Sequence, residues 1–353
     1  MKDIILYPLK FIPVYKDYLW GARNLIKYGK KLPDGIVAES WELSCHPDGM
    51  SIISNGLYSG RTLESLINEF GGRLVGDTYQ KNEKFPLLVK FIDANDRLSV
   101  QVHPDDSYAL THEGEYGKNE MWYIIEAKPG AALIYDVRPG VTRESFKNAV
   151  TRNKVDECLK ILPVKAGDFV NIPAGMIHAI GAGIILAEIQ QNSNSTYRLY
   201  DYNRTDANGN KRPLHIEKAL DVIDFNPAGR KERYEGLKYS IPDAGDLTIL
   251  VASRYFCVEL LNIEGWINQS ADGRRFYIYV CIQGKGEIQW GNARMSFQKG
   301  ETVLIPASLG NYSLNGQMKA LKAYIPDLDK DIFERLLNLG FSRQEIIEKI
   351  SGL

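Results

Sequence analysis

The sequence has few cysteines, and none of them stands in a metal-binding or redox spacing. Its four cysteines, Cys45, Cys158, Cys257 and Cys281, are far apart and form no Cys-x-x-Cys motif. This pattern is typical of isolated buried thiols in a reducing cytoplasm. It argues against a disulfide framework and against a zinc site built from paired cysteines.

An excess of charge and a long hydrophobic run are also absent. Lys and Arg number 43 against 44 Asp and Glu, for a formal net charge of −1. We therefore expect no nucleic-acid or membrane partner, and any bound phosphate needs a local cationic cluster. The longest apolar run, residues 179–187, is about half of a bilayer span. The N-terminal stretch is broken by Pro8 and Pro13 and lacks a signal-peptide core, so we expect a soluble cytoplasmic protein.

Short strand-like segments dominate the chain. With 353 residues, 44% of them hydrophobic, it is long enough for two domains with substantial cores. The strand-like segments are rich in β-branched and aromatic residues and are bounded by Gly, Pro or Asp. They predict a mainly β fold and lie at 85–93, 98–104, 120–127, 131–137, 168–173 and 184–191.

Helical spacing of apolar residues is confined to a few segments. Residues 62–76 begin at Thr62, a suitable N-cap, and residues 142–162 carry a second helical pattern. The chain closes with a helical segment over 327–353, which Gly340 divides in two. Residues 224–246 are rich in proline, glycine and charge, and we interpret them as a linker.

A weak repeat lies on both sides of this linker. "GDFVNIPAGMIHAI" begins at Gly167 and "GETVLIPASLGNYSL" begins at Gly300, with a proline six residues after each glycine. Eleven residues after the glycine stands His178 in the first copy and Asn311 in the second. The repeat predicts two jelly-roll β-barrels, a catalytic domain over 1–223 and a degenerate one over 247–326 without a metal site.

The stretch "LSVQVHPDD" has the alternation of a strand with two unlike faces. Val100 and Val102 point to one face, which we expect to be core. Ser99, Gln101 and His103 point to the other face. A hydroxyl, an amide and an imidazole in a row predict that this second face lines a site.

Two further residues complete a candidate metal centre. Glu120 opens a predicted strand, and His178 follows the "IPAG" turn. Neighbouring strands of a jelly roll can bring these side chains onto one inward face together with His103 and Gln101. Two imidazoles, a carboxylate and an amide oxygen suit a divalent ion such as Zn²⁺ and leave room for water or substrate.

Several motifs together resemble a known family. "GKNEMWYIIEAKPG" and "GDFVNIPAGMIHAI" are similar to the two motifs of the cupin superfamily. "YLWGARNL", "ESWELSCHPDGMSIISNG", "QVHPDD", "GKNE", "IPAGMIHAIGAG" and "EIQQNSNSTYRLYDYNR" resemble the type I mannose-6-phosphate isomerases in their shorter bacterial form. The resemblance is strong from about residue 7 to 204 and weak up to 326. It implies interconversion of mannose 6-phosphate and fructose 6-phosphate through a cis-enediol.

The resemblance also implies roles for individual residues. It assigns the ligands of one divalent metal ion, expected to be Zn²⁺, to Gln101, His103, Glu120 and His178. It assigns catalytic roles to Arg198, Lys118 and Glu188, and substrate contacts to Ser99 and Lys90. Arg198 is expected at the reacting end of the sugar, whereas the proton-transfer base stays open between Glu188, Lys118 and a metal-bound water. Asn194 departs from the family, which often has aspartate there.

Other interpretations remain. The chain is alternatively another metal-dependent cupin enzyme, such as a dioxygenase, or a non-catalytic sugar-binding cupin. The remaining histidines have simpler explanations: His46 lies in a turn, His112 in a surface loop and His215 at a helix start. The expected partner is a small phosphosugar, and the protein is expected to be a monomer or a homodimer.

Overall fold

The structure, a computed structural model, describes residues 6–77, 84–205, 208–226 and 230–353, and it is mainly β. The strands before the predicted linker are β1 (Leu9–Ile12), β2 (Val14–Lys16), β3 (Glu39–Leu43), β4 (Ile52–Ile53), β5 (Leu87–Ala94), β6 (Val100–Val102), β7 (Glu120–Ala127), β8 (Ala132–Val137), β9 (Leu159–Pro163), β10 (Phe169–Ile172), β11 (His178–Ile180), β12 (Ile184–Gln191) and β13 (Tyr197–Tyr200). Those that follow are β14 (Leu237–Ile241), β15 (Gly245–Ala252), β16 (Cys257–Ile263), β17 (Trp266–Ala271), β18 (Tyr277–Trp290), β19 (Ala293–Gln298), β20 (Thr302–Ile305) and β21 (Gly310–Tyr324).

The helices are short and lie between strands or at the end of the chain. The α-helices are α1 (Leu63–Phe70), α2 (Gly72–Val75), α3 (Asp106–His112), α4 (Arg143–Thr151), α5 (Ile216–Val222), α6 (Arg335–Asn338) and α7 (Arg343–Lys349). A π-helical turn, Leu328–Glu334, precedes α6, and the predicted break at Gly340 separates α6 from α7. Thr62 caps α1 as expected, because its side chain accepts a hydrogen bond from the backbone N–H of Ser65 at 3.2 Å.

Two predicted helices are shorter than their sequence patterns indicated. The first is divided at Gly71, whose φ of 50° ends α1 before α2 begins. The second ends at Thr151, because Asn153 adopts φ of 56° and so leaves the helical conformation. The rest of that segment forms the 3-10 turn Val155–Cys158 and then strand β9. Apolar residues at spacings of four and five are compatible with a helix, but they also fit a turn followed by a strand.

The segment predicted as a linker contains regular structure. Residues 237–241 form β14, which pairs antiparallel with β15 and places buried Leu237 opposite Ile249. Residues 227–229 of this segment lie outside the described residues. Composition alone favours a linker because the prolines and glycines lie on both sides of the strand, at positions 227, 229 and 236 before it and at 242 and 245 after it.

Within the described residues, the strand pairings define three sheets. A six-stranded sheet has the order β10-β7-β12-β5-β3-β2, and a five-stranded sheet has the order β13-β6-β11-β8-β9. Side chains of both sheets share one buried cluster, with Ile92 and Trp122 from the first sheet and Leu133 and Ile180 from the second. The two sheets therefore pack against each other and enclose the space in which the site lies.

The third sheet joins the two ends of the chain. It contains ten strands, among them β14 to β21, and its order ends with β20-β1-β4. Strand β1 pairs with β20 in the register Leu9 to Leu304. The mainly β prediction is thus confirmed, and the prediction of two separate jelly-roll barrels stays a prediction.

One hydrophobic cluster connects the halves of the chain. It includes Phe85 and Val89 from the first half and Phe276 and Leu321 from the second. The Phe85 and Phe276 rings lie 4.9 Å apart between their centroids. None of the helices in the described ranges has the length and apolar character that crossing a bilayer requires.

The repeated motif occupies equivalent strand pairs. In the first copy, "GDFVNIP" contains β10 and "AGMIHAI" contains β11. In the second copy, "GETVLIP" contains β20 and "ASLGNYSL" contains the start of β21. His178 is the first residue of β11 and is fully buried, whereas Asn311 near the start of β21 is exposed. The two copies therefore share a local structure but present different side chains.

Because the halves share a core, we expect them to unfold together. Replacing Phe276, which is 3% exposed, by alanine removes a buried ring and should cost about 3–5 kcal/mol of unfolding free energy. Guanidinium unfolding followed by tryptophan fluorescence should show one shifted transition. Leu57→Ala, at a side chain that is 80% exposed, should cost less than about 0.5 kcal/mol. Two separate transitions, with only one displaced, would contradict the shared core.

Candidate metal centre and cavity

Three strands from two sheets bring the predicted ligands together. In the five-stranded sheet, β11 pairs with β6 so that His178 lies opposite Gln101, and His103 follows directly after β6. In the six-stranded sheet, Glu120 is the first residue of β7 and lies opposite Ile172 of β10. As predicted, Val100 and Val102 are fully buried on the opposite face of β6 in a separate hydrophobic cluster.

The side chains of His103, Glu120 and His178 converge on one point. Their ligand atoms all lie within 4.8 Å of one another, and all three side chains are at most 1% exposed. Glu120 Oε2 lies 3.4 Å from His103 Nε2, and Glu120 Oε1 lies 3.4 Å from His178 Nε2. Within the described ranges this is the one such group of three His, Cys, Asp or Glu side chains.

Backbone carbonyls fix the orientation of both imidazoles. His103 Nδ1 donates to the carbonyl of Ser195 at 2.9 Å, and His178 Nδ1 donates to that of Met176 at 2.9 Å. With the proton on Nδ1, each Nε2 carries a lone pair, and the two Nε2 atoms face each other at 3.1 Å. Histidines that bind metals are commonly oriented in this way, because the ring N–H that does not face the metal donates to a carbonyl or carboxylate.

Burial and a nearby lysine set the protonation of the group. Burial, aided by the charge of Lys118, lowers the pKa of His103 to about 3, and burial also lowers the pKa of His178. Burial alone favours the neutral acid of Glu120, but Lys118, followed by His103, holds the pKa of that carboxyl well below its usual range. Lys118 Nζ lies 2.9 Å from Glu120 Oε2 and 3.2 Å from His103 Nε2.

The donor set fits a divalent cation. Two neutral imidazoles and one carboxylate face a common centre, and both oxygens of Glu120 are buried without a hydrogen bond of good geometry. Three acceptors this close repel one another, and Lys118 offsets this repulsion only at Glu120 Oε2 and His103 Nε2, whereas a divalent cation at the common centre would be shared by all three. A His₂Glu set is a known ligand combination for zinc and leaves a further coordination position open.

Gln101, Ser99 and Arg198 form a polar row beside the centre. The Gln101 amide nitrogen lies 3.4 Å from His178 Nε2, and its oxygen lies 3.5 Å from Ser99 Oγ. Arg198 on β13 lies opposite Gln101 and donates from Nε to Ser99 Oγ at 3.2 Å. The face of β6 that the alternation predicts to be polar therefore extends from the candidate metal centre to the guanidinium of Arg198.

A second buried group surrounds Lys90. Lys90 Nζ lies 3.0 Å from Glu188 Oε1 and 3.6 Å from Glu39 Oε2, and the register of β12 and β5 places Glu188 opposite Lys90. The indole N–H of Trp122 donates to Glu188 Oε2 at 2.9 Å. Burial raises the pKa of Glu188 despite Lys90, whereas the carboxylates of Glu188 and then Glu39 outweigh burial and raise the pKa of Lys90.

Both groups border one cavity of about 220 Å³. Its lining includes six of the nine residues that the sequence singled out: Lys90, Ser99, Gln101, Lys118, Glu188 and Arg198. His103, Glu120 and His178 lie behind Gln101 and Lys118, with which they are in contact. The structure therefore brings all nine residues to one cavity and its floor.

Comparison with known proteins gives a consistent result over nearly the whole chain. Residues 8–126 match the family model "Phosphomannose isomerase type I, catalytic domain", and residues 246–325 match "Mannose-6-phosphate isomerase, cupin domain". Mannose-6-phosphate isomerase ManA of Bacillus subtilis is 38% identical over 90% of this chain and 99% of its own length. The mannose-6-phosphate isomerase of Streptococcus mutans is 38% identical over 87% of this chain and 94% of its own length.

The chain belongs to the mannose-6-phosphate isomerase family. The crystal structure of the Bacillus subtilis mannose 6-phosphate isomerase superimposes with a TM-score of 0.82 at 32% identity, covering 90% of this chain and 99% of that one. The resemblance predicted from the motifs is thereby confirmed.

Sequence reasoning missed several residues that line the cavity of this family member. Arg212 lies in an irregular segment after β13 and makes two hydrogen bonds to Asp201, at 2.8 and 2.6 Å. Glu39 and Trp20 come from the N-terminal segment. No local periodicity marks these positions, although the cluster Arg204-x₇-Arg212 was a visible cationic signal.

Lys90 offers a test of the electrostatics. Lys90→Met leaves Glu188 and Glu39 buried without their cation, and it should cost about 3–5 kcal/mol of unfolding free energy near pH 7. The double variant Lys90→Met/Glu188→Gln should recover a large part of this loss. Guanidinium unfolding measures both.

The pH dependence of that loss has a defined sign. When the pKa of a carboxyl group is higher in the folded than in the unfolded protein, the protein loses stability as the pH rises from the unfolded-state pKa to the folded-state pKa. The deficit of Lys90→Met should therefore grow with pH above the ordinary glutamate pKa and shrink below it. A loss that is small, or equal at all pH values, would show that Lys90 does not neutralise these carboxylates.

Proposed function

We propose that this protein is a metal-dependent aldose–ketose isomerase that interconverts mannose 6-phosphate and fructose 6-phosphate. The observation that carries the proposal is the convergence of two imidazole acceptors and one carboxylate at the floor of a cavity whose walls hold separate cationic and acidic groups. Membership of the mannose-6-phosphate isomerase family supports the substrate and the reaction.

His103, Glu120 and His178 would hold one divalent ion, and we assign Zn²⁺ to the site because two imidazoles and a carboxylate suit it. When bound, the ion supplies a Lewis-acidic charge next to the sugar oxygens. Gln101 is the proposed fourth ligand. Rotation of its amide by 180° would turn the oxygen toward His178, and amide orientation is assigned from such contacts.

The reaction moves a proton from C2 of the aldose to C1 through a cis-enediol. Glu188 is the proposed base, because burial raises the pKa of its carboxyl toward the range in which general bases work. Lys118 is the proposed acid that protonates O1 as the enediol forms and takes back the proton of the O2 hydroxyl as the ketone forms, because its ammonium lies beside Glu120 and borders the cavity. Trp122 and Lys90 hold the two oxygens of Glu188 in place.

Arg198 is the proposed stabiliser of the enediolate oxygen. It is held by Ser99 and by the carbonyl of Pro213 at 2.9 Å, so its guanidinium is oriented before substrate arrives. Burial lowers the pKa of Arg198, but an arginine stays protonated at neutral pH. A fixed positive charge of this kind stabilises negative charge that develops in the transition state.

The phosphate needs a cationic part of the cavity. Lys90 is poorly suited to it alone, because its charge is offset by Glu188 and Glu39. We therefore assign Lys90 to the sugar and to Glu188, and we assign the phosphate to Arg212. Asp201 holds Arg212 through two hydrogen bonds, which leaves the rest of its guanidinium for the cavity. Binding energy from the phosphate would orient the reacting carbons.

The organisation of the chain follows the same proposal. Residues 1–223 would form the catalytic cupin domain, 224–246 the connection, 247–326 a degenerate cupin domain and 327–353 a helical segment, with a jelly-roll barrel in each cupin domain. The exposed Asn311 at the position equivalent to His178 supports a second domain without metal. We expect the enzyme to act in the cytoplasm as a monomer or a homodimer.

A coupled assay for fructose 6-phosphate formed from mannose 6-phosphate tests the function, run with and without a chelator beside a measurement of oxygen uptake. Turnover should fall at least about 100-fold on metal removal and return with Zn²⁺. His178→Ala should lose turnover, whereas Asn311→Ala at the equivalent repeat position should keep it. Oxygen uptake would favour a dioxygenase, and sugar binding without turnover would favour a binding module.

Arg212 gives a test of the phosphate assignment. Arg212→Met should raise KM for mannose 6-phosphate about 10- to 100-fold, as expected for the loss of a charged hydrogen bond worth about 1.5–3 kcal/mol. Arg204→Met is the matched control, because Arg204 also pairs with Asp201 but does not line the cavity. Equal changes of KM in both variants would contradict the assignment.

A further inference from the structure

The orientation of His103 depends on a short segment between two strands. Its Nδ1 donates to the carbonyl of Ser195, which lies between the end of β12 and the start of β13. The backbone N–H groups of Asn192 and Ser193 donate to the carbonyls of Pro86 and Gln191 at 2.8 Å each. The next two donate to side chains: that of Asn194 to Glu115 and that of Ser195 to Ser193 Oγ at 3.2 Å. Something other than strand pairing must therefore hold this carbonyl in position.

The carboxylate of Glu115 binds three consecutive residues of this segment, Ser193 to Ser195. Its Oε2 accepts three hydrogen bonds, from the hydroxyl of Ser193 at 3.2 Å, the backbone N–H of Asn194 at 3.1 Å and the hydroxyl of Ser195 at 3.2 Å. Although burial favours the neutral acid, hydrogen bonds from His46 and from the Asn194 backbone hold the pKa of Glu115 below its usual value. A carboxylate, with its negative charge, strengthens all three bonds.

His46 holds the other oxygen of this carboxylate. Its Nδ1 accepts from the backbone N–H of Asp48 at 3.1 Å, so the proton is on Nε2, which donates to Glu115 Oε1 at 2.9 Å. Asp48 in turn accepts from the side-chain amide of Asn194 at 2.7 Å. The turn predicted around His46 is present, but its imidazole is 6% exposed and is fully engaged in this network.

We propose that Glu115, braced by His46, is a positioning residue for the metal centre, because it fixes the Ser193–Ser195 segment whose carbonyl orients His103. This inference rests on the proposed function only in assuming that His103 is a metal ligand. Groups that orient metal-bound histidines change metal affinity by about 10- to 100-fold when they are removed. Glu115 acts one step further out, so the lower end of that range is expected.

The test measures Zn²⁺ affinity of the metal-free chain by competition with a chromogenic chelator. Glu115→Gln keeps the shape of the side chain but removes its charge, and it should weaken Zn²⁺ binding about 10-fold. At saturating Zn²⁺, turnover should return to within about twofold of the parent. A general structural defect would instead lower turnover at every Zn²⁺ concentration.

Glu113→Gln is the matched control. Glu113 lies two residues away, is 27% exposed against 25% for Glu115, and accepts from Tyr197 and Lys218 at 2.7 Å each. Its Zn²⁺ affinity should stay within about twofold of the parent. Ser195→Ala removes one of the three bonds to Glu115 and should weaken Zn²⁺ binding by a smaller factor than Glu115→Gln, which provides a second measurement if that variant folds poorly.

The outcomes separate this inference from the proposed function. If the parent chain binds Zn²⁺ and Glu115→Gln binds it equally well, the positioning role is wrong and the isomerase proposal stands. If the parent chain itself binds no divalent metal, the metal centre and the proposed function fail together. Equal weakening in Glu113→Gln and Glu115→Gln would also overturn the positioning role.

Discussion

The carboxylate of Glu120 is the constraint around which the first half of the chain is built. It is fully buried, its two oxygens face the Nε2 atoms of His103 and His178, and Lys118 is its adjacent cation. Burying a charge in this way is unfavourable unless cations and donors surround it. The two sheets must therefore pack so that these side chains face one another, and the same packing forms the cavity next to them.

Two parts of the cavity wall carry opposite net charge. Around Lys90, two carboxylates outweigh one ammonium, whereas Arg198 and Arg212 with Asp201 leave an excess of positive charge on another part of the wall. In the proposed assignment, the acidic group and Arg198 would lie at the reacting end of the sugar, and Arg212 would lie at its phosphate. This complementarity is local, because the chain as a whole carries a formal charge of only −1.

The sequence predicted those parts of the structure that local patterns encode. Alternation correctly assigned Val100 and Val102 to the core and placed Gln101 on the opposite face, where it borders the cavity, and Thr62 caps its helix as expected. Patterns that fit two kinds of structure gave wrong predictions, as in the helix predicted over 142–162, which ends before Asn153. Arg212, Glu115 and the pairing of β1 with β20 depend on contacts between distant segments, and periodicity within one segment carries no information about them.

The pairing of β1 with β20 has a consequence for biosynthesis. Leu9 and Phe11 leave the ribosome long before Leu304, the partner of Leu9, because about 295 residues of chain separate the two strands. At usual translation rates this leaves an apolar segment without its neighbour strand for roughly 15–60 s. The ten-stranded sheet can therefore close at β1 only after β20 has been translated, and until then the apolar side chains of β1 are open to non-native contacts.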